Sequence, residues 1–166
     1  MGTPNTIEEI DKQAYDQAIR WLARRGYGRW ELQQRLLQSG VSAGQVAQVC
    51  DRCQALGYLD DAAFAASRAR YRLHHGHHGP RRVWAELRAL QVADEDIQQA
   101  LAPLLEETDE CSLAAAALAK RFGPPAQEET ERCGRRGHQE SKRRYDFLSR
   151  RGFNDEAIWQ VLNRTQ

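Results

Sequence analysis

The sequence predicts an all-α protein, an elongated array of three tandem three-helix units of helix-turn-helix character. Three observations carry this prediction. No run alternates apolar and polar residues with the Val, Ile and Thr content of a strand. Apolar residues recur instead at helical spacing, as in Tyr15, Ala18, Ile19 and Leu22, and again in Val46, Val49, Cys50 and Cys53. Finally, one corner pattern occurs three times, the mark of internal repetition. Aligning Leu36–Cys50 with Leu87–Leu101 and Leu148–Leu162 superimposes Leu36, Leu87 and Leu148. Gly40, Gln91 and Gly152 then fall together, followed by Val41, Val92 and Phe153, by Val46, Ile97 and Ile158, and by Cys50, Leu101 and Leu162.

Helix-end chemistry accounts for that spacing. Gly40 and Gly152 suit the left-handed conformation that stops a helix. Ser42 and Asn154 are good N-caps for the helix that follows, and Ser42 with Gln45 makes a capping box. The apolar residue before the cap should staple onto the fourth residue of the helix, pairing Val41 with Val46, Val92 with Ile97 and Phe153 with Ile158. In the second corner Gln91 is a poor stop and Ala93 a poor cap.

Taken in chain order, residues 1–13 are expected to be a flexible N-terminus, and the first unit covers 14–58. The stretch Gly57, Tyr58, Leu59, Asp60, Asp61, then Phe64 after two alanines, reads as the corner that opens the second unit, 59–106. Gly57 ends one helix, and Asp60 caps the next. Asp61 adds negative charge in the first turn, where the helix dipole favours it. Leu59 and Phe64 are expected to staple. The alanine-rich run 62–69 favours helix, as does 114–119 in the third unit, 107–166. Glycine, proline and charge near 123–140 predict a loop insertion there. Each unit is close to the lower size limit for a core of its own, so neighbours must pack on each other.

The net charge of +1 does not point to a polyanion, but charge is segregated along the chain. Arg20, Arg24, Arg25, Arg29 and Arg35 face one acid, Glu31. Arg68, Arg70, Arg72, Arg81 and Arg82 stand with four histidines and no acid in 68–82. Lys142, Arg143, Arg144, Arg150 and Arg151 belong to a third basic block. The two readings are a basic working face and solvated helix faces. The candidate partner-binding residues are Arg24, Arg25, Arg29, Arg68, Arg70, Arg72, Arg81, Arg82, Lys142, Arg143, Arg144, Arg150 and Arg151. Pro80 suits the first position of a helix, so Arg81 and Arg82 should emerge at a helix start, a place friendly to anions.

Other constellations are weak. Cys50-x-x-Cys53 has metal-ligand spacing, but Cys50 occupies a core slot of the repeat and no second ligand pair follows. The histidines of 74–78 read as loop or basic-surface residues able to add charge below a pKa of about 6.5. Trp21, Tyr27, Trp30, Tyr71 and Trp84 lie among arginines, which suits either core packing or a phosphate-binding surface. Phosphate-binding loops, nucleophile elbows and zinc-protease motifs do not occur. No cofactor and no metal are expected, and no membrane span. Four cysteines without an export signal suggest a reduced, cytoplasmic setting.

With Gly57, Tyr58, Leu59, Asp60, Asp61 and Phe64, then Gly79, Arg81, Arg82, Glu86 and Leu87, on three tandem units, the chain resembles RecX, the bacterial regulator of the RecA recombinase. The resemblance spans roughly residues 14–163. The family often shows Lys-Gly where this chain has Leu90-Gln91, and lysine or arginine where it has histidines at 74–78. The resemblance implies a non-enzymatic, monomeric modulator. It would bind RecA filaments on single-stranded DNA and suppress strand exchange, ATP hydrolysis and coprotease activity, touching recombination, repair and the SOS response. Contact with single-stranded DNA would be weak or through RecA. The alternative is a helix-turn-helix DNA-binding protein that acts without RecA; a metal-dependent enzyme is a third class.

Overall fold

The computed structural model describes residues 6–123 and 135–164. Among these residues lie nine helices and no strand. They run α1 Thr6–Leu22, α2 Arg29–Gln38, α3 Ala43–Ala55, α4 Asp61–His74, α5 Pro80–Ala89, α6 Asp94–Glu107, α7 Glu110–Phe122, α8 Arg135–Arg151 and α9 Asp155–Arg164. The close helix packings fall within successive triplets: α1 and α2 on α3, α4 and α5 on α6, α7 and α8 on α9. Two boundaries move. Residues 6–13, expected within a flexible terminus, belong to α1. Residues 135–140, expected within a loop, are the start of α8. The rest of that expected insertion, 124–134, lies outside the described residues.

The three repeated corners share one backbone. Val41, Val92 and Phe153 each donate their N–H to the carbonyl five residues back, on Leu36, Leu87 and Leu148, at 3.2 Å in every case. That six-to-one bond is the Schellman closure of a helix. It needs a left-handed residue in between, and Gly40, Gln91 and Gly152 supply φ of 88°, 58° and 86°. Gln91 thus takes a glycine's conformation with a Cβ attached, at a cost on the order of 1 kcal/mol. The three leucines are fully buried. Truncating any of them to alanine should cost about 2–5 kcal/mol.

The caps follow suit. The Ser42 hydroxyl accepts from the Gln45 N–H and the Gln45 side chain accepts from the Ser42 N–H, a complete capping box. Asn154 accepts from the Ala157 N–H at 2.7 Å. Ala93 caps nothing.

Two separate cores result. α1–α3 enclose Ala14, Ala18, Leu32, Leu36, Val46, Val49, Cys50 and Cys53. α4–α9 share one continuous core that runs from Phe64 through Leu87 and Ile97 to Leu148, Phe153 and Leu162. Mutual packing of units therefore holds for the second and third triplets, whereas the first keeps a core of its own.

Candidate basic interface

The corner between the first and second triplets works differently from its sequence reading in one respect. Gly57 does close α3, with φ of 73° and the Tyr58 N–H on the Cys53 carbonyl. Asp60 does cap α4, accepting from the Ala63 N–H at 2.9 Å. Leu59 and Phe64, however, do not staple. Leu59 is buried in the first core and Phe64 in the second, so the two apolar residues pin the corner to opposite sides. Asp61 does more than meet its own helix dipole. Its carboxylate accepts the Arg29 N–H at 2.6 Å, which caps α2, a helix whose own N-cap is Gly28 and offers no side chain. A Cβ on Gly28 would meet the Phe64 ring at 3.1 Å, so a capping side chain there would crowd that ring.

The start of α5 is the second junction. Its N-cap, Gly79, also lacks a side chain. The Gly79 N–H binds the Arg151 carbonyl at 2.8 Å, and the Arg81 N–H binds the Gly152 carbonyl at 3.1 Å. A Cβ on Gly79 would overlap the Gly152 carbonyl group and the Phe153 nitrogen. The expected anion-friendly helix start is thus filled by backbone carbonyls of the α8–α9 corner, which satisfy its orphan donors. Arg81 still projects outward. Arg82 reaches across the junction and donates to the Arg150 carbonyl at 3.0 Å.

This geometry sorts the candidate arginines into two groups. Six are tied into the fold. Arg25 forms a two-pronged pair with Glu31 and stacks on Tyr27. Arg29 binds Asp51 and Gln54. Arg68 and Arg72 converge on one carboxylate oxygen of Glu86, at 2.6 and 2.8 Å. Burial alone would raise the Glu86 carboxyl; hydrogen bonds from Arg72 and Arg68 outweigh it and hold the group below its ordinary value. Arg144 pairs with Glu140, and the repeat alignment explains why it is mostly buried, because it fills the slot of Leu32 and Val83. Arg151 donates to the Gly76 carbonyl at 2.6 Å and lies over Phe147.

The other group faces water. Arg24, Arg81, Lys142, Arg143 and Arg150 are exposed, and among the described residues they make no side-chain hydrogen bond or ion pair. Arg70 has only a loose 3.7 Å approach to Glu107, with both side chains more than half exposed. Such pairs contribute little and release easily.

Aromatic residues divide the same way. Tyr27 is buried, with its hydroxyl hydrogen-bonded by Arg35. Trp21 packs on the first core and Trp84 on the second, and Trp30 is half-buried. Tyr71 stands out at 60% exposure, its ring against His75. Cys50 and Cys53 are core residues, and burial pushes the Cys50 thiol up to about 11. Among the described residues no three His, Cys, Asp or Glu side chains converge to hold a metal ion, and no helix is long and apolar enough to cross a membrane. The histidine loop is less basic than its composition suggests. Burial, and then nearby cations, lower the pKa of both His77 and His78.

Sequence reasoning missed the acids that organise the arginines. Gly28 was the available signal for Asp61, since a helix start without a side-chain cap must find one elsewhere. Glu86, the one acid of α5, a helix rich in arginine, was the signal for the Arg68–Arg72 hub.

The description of the first three-helix domain of RecX matches residues 14–53, and that of the second three-helix domain matches residues 60–101. A protein of Acidithiobacillus ferrooxidans named regulatory protein RecX is 39% identical over 162 residues, covering 95% of this chain and 92% of its own length. This chain belongs to the RecX family. Regulatory protein RecX of Chromohalobacter salexigens is likewise 39% identical, over 147 residues and 89% of each chain. Two RecX crystal structures carry the same fold. The one from Lactobacillus salivarius has a TM-score of 0.70 at 17% identity, covering 95% of this chain and 97% of its own. A second, titled regulatory protein RecX, has a TM-score of 0.77 at 19% identity over 95% of this chain and 75% of its own. The relatives of this RecX chain are named as regulators.

Proposed function

We propose that this protein is a non-enzymatic regulator of the RecA recombinase. It binds RecA filaments on single-stranded DNA and lowers strand exchange, ATP hydrolysis and coprotease activity, and so restrains recombination, repair and the SOS response in the cytoplasm. The observation that carries the reading is the 39% identity to a regulatory RecX protein across 95% of the chain. The three units, taken as 14–58, 59–106 and 107–166, act as one monomeric ligand of the filament. Their contacts are individually weak and combine through effective concentration.

The water-facing cations, Arg24, Arg70, Arg81, Lys142, Arg143 and Arg150, are assigned to the partner. Arg82 serves both the partner and the junction. Arg25, Arg29, Arg68, Arg72, Arg144 and Arg151 are assigned to the fold.

The decisive experiment is RecA-dependent ATP hydrolysis on single-stranded DNA, with this protein titrated below stoichiometric ratio. Hydrolysis should fall. Arg81→Glu and Arg143→Glu should each weaken inhibition by up to about fivefold, the scale of one exposed charged contact, with unchanged helicity by circular dichroism. Undiminished hydrolysis at full saturation would overturn the reading.

A further inference from the structure

The backbone between Leu59 and Asp60 joins two bodies, each fixed up to that point. Leu59 is buried in the first core, and its N–H is held by the Cys53 carbonyl of α3. Every member of that core precedes Asp60. Asp60 caps α4 through the Ala63 N–H, and α4 buries Phe64 in the second core. The turning point is thus one peptide link between two anchored ends, where a few dihedrals can absorb a large rotation.

Two contacts oppose such a rotation, and both meet at Gly28. The Asp61 carboxylate accepts the Arg29 N–H at 2.6 Å. The Phe64 ring lies against the bare Gly28 backbone. A Cβ on Gly28 would stand 3.1 Å from that ring and 3.4 Å from the Asp61 carboxylate. The ring itself belongs to the second body, where Arg68, tied to Glu86, lies 5.9 Å from its centroid.

We propose that the first triplet is a rigid arm that swings about the Leu59–Asp60 link, and that Asp61 and Phe64, seated on Gly28, are the latch that holds it closed. Releasing the latch frees one N–H to water and lifts one ring edge, and it leaves both cores whole. The open arm is therefore a minor state of the folded protein. The second junction has no such freedom, because one core runs through it and the backbones of α5 and the α8–α9 corner are hydrogen-bonded to each other. On the function proposed above, the swing alters the span between Arg24 on the arm and Arg81 on the body, and so fits the array to its filament. The hinge itself does not depend on that reading.

The test is Gly28→Ala in the full chain, without recombinase. Gly28 has φ of −75° and ψ of 157°, which alanine adopts without strain, so the variant is built to fold. Its methyl enters the latch as a wedge. The control is Gly44→Ala, where a Cβ meets nothing within 4 Å. Residual dipolar couplings of backbone amides report how the two bodies are oriented. In the wild type and the control, couplings from α1–α3 and from α4–α9 should fit one alignment tensor. In Gly28→Ala they should need two. Chymotrypsin cleavage after Tyr58, which is 55% exposed at the link, should speed up roughly tenfold, the step from about 1% to about 10% open. Alkylation of Cys50 and Cys53, fully buried in the first core, should stay as slow as in the wild type.

A single shared tensor in Gly28→Ala, or unchanged cleavage at Tyr58, would overturn the hinge. Faster alkylation of the two cysteines would show that the triplet unfolds instead of swinging, and would overturn it too. Two tensors already present in the wild type would mean that nothing latches the arm. A rigid arm in a protein that still inhibits RecA hydrolysis refutes only this proposal.

Discussion

The junction of the first and second triplets and the junction of the second and third are built on the same sequence device, and they hold by different physics. Both place a glycine at the N-cap of the middle helix, Gly28 on α2 and Gly79 on α5. At the first junction the orphan donor is met by a side chain, Asp61, and the apolar residues part into two cores. At the second it is met by backbone carbonyls of Arg151 and Gly152, and one core runs through both triplets. The lesson is that a repeat can be regular in its corners and irregular in its couplings. The second and third triplets share one core, while the first keeps its own and meets them through contacts that include the Asp61 carboxylate and the Phe64 ring.

The largest test of that contrast is Gly79→Ala. The added methyl overlaps backbone atoms, which cannot rotate away, so the junction must open. A loss of about 3 kcal/mol or more is expected, at the high end of overpacking, read as a lowered urea midpoint. The matched control is Gly40→Ala, where a Cβ meets nothing within 4 Å. There only the left-handed backbone is penalised, by roughly 1–2 kcal/mol. Equal losses in the two variants would show that the second junction is no tighter than an open corner.

Next in size is Asp61→Ala. It removes the cap of α2 and should cost about 1–2 kcal/mol. Hydrogen exchange should speed up at the start of α2 while the second core keeps its protection, if the first triplet opens by itself. Acceleration spread evenly over α1 to α9 would mean that the chain unfolds as one unit after all.

Acid should act on the other body. Glu86 is held below its ordinary pKa by Arg72 and Arg68 against the effect of burial. The unfolded chain therefore binds the proton more readily, and the stability this group supplies is complete above its unfolded value of about 4.3 and is lost as pH falls through the folded one. Glu86→Gln should flatten that part of the stability profile, measured by thermal midpoint from about pH 5 down to 3.

The smallest effect is a gain. Gln91→Gly relieves the one non-glycine among the three equivalent corners and should add about 1 kcal/mol in chemical denaturation.

The fold was largely legible in the chain. Leucines at 36, 87 and 148, with a stop four residues on and an apolar residue just after it, are a local code. Local codes survive because the Schellman bond and the N-cap join residues within one turn of each other. What the chain hid is non-local. Nothing near Gly28 names Asp61, and nothing near Gly79 names Gly152. Leu59 and Phe64 stand at staple spacing yet face different cores, because spacing specifies reach and not destination. The candidate interface was legible as a composition and not as a surface. Arg68 and Arg81 read alike in sequence, but only one has Glu86 against it.

The closure of α5 by Gly152 also orders events during synthesis. The first core can form once α3 has left the ribosome, since every residue in it precedes Asp60. The middle triplet cannot, because the acceptors for its last free N–H donors and part of its core arrive with α8 and α9. Until then its apolar face is open to other chains at the ribosome's exit, the interval in which multi-unit proteins are most prone to misassembly.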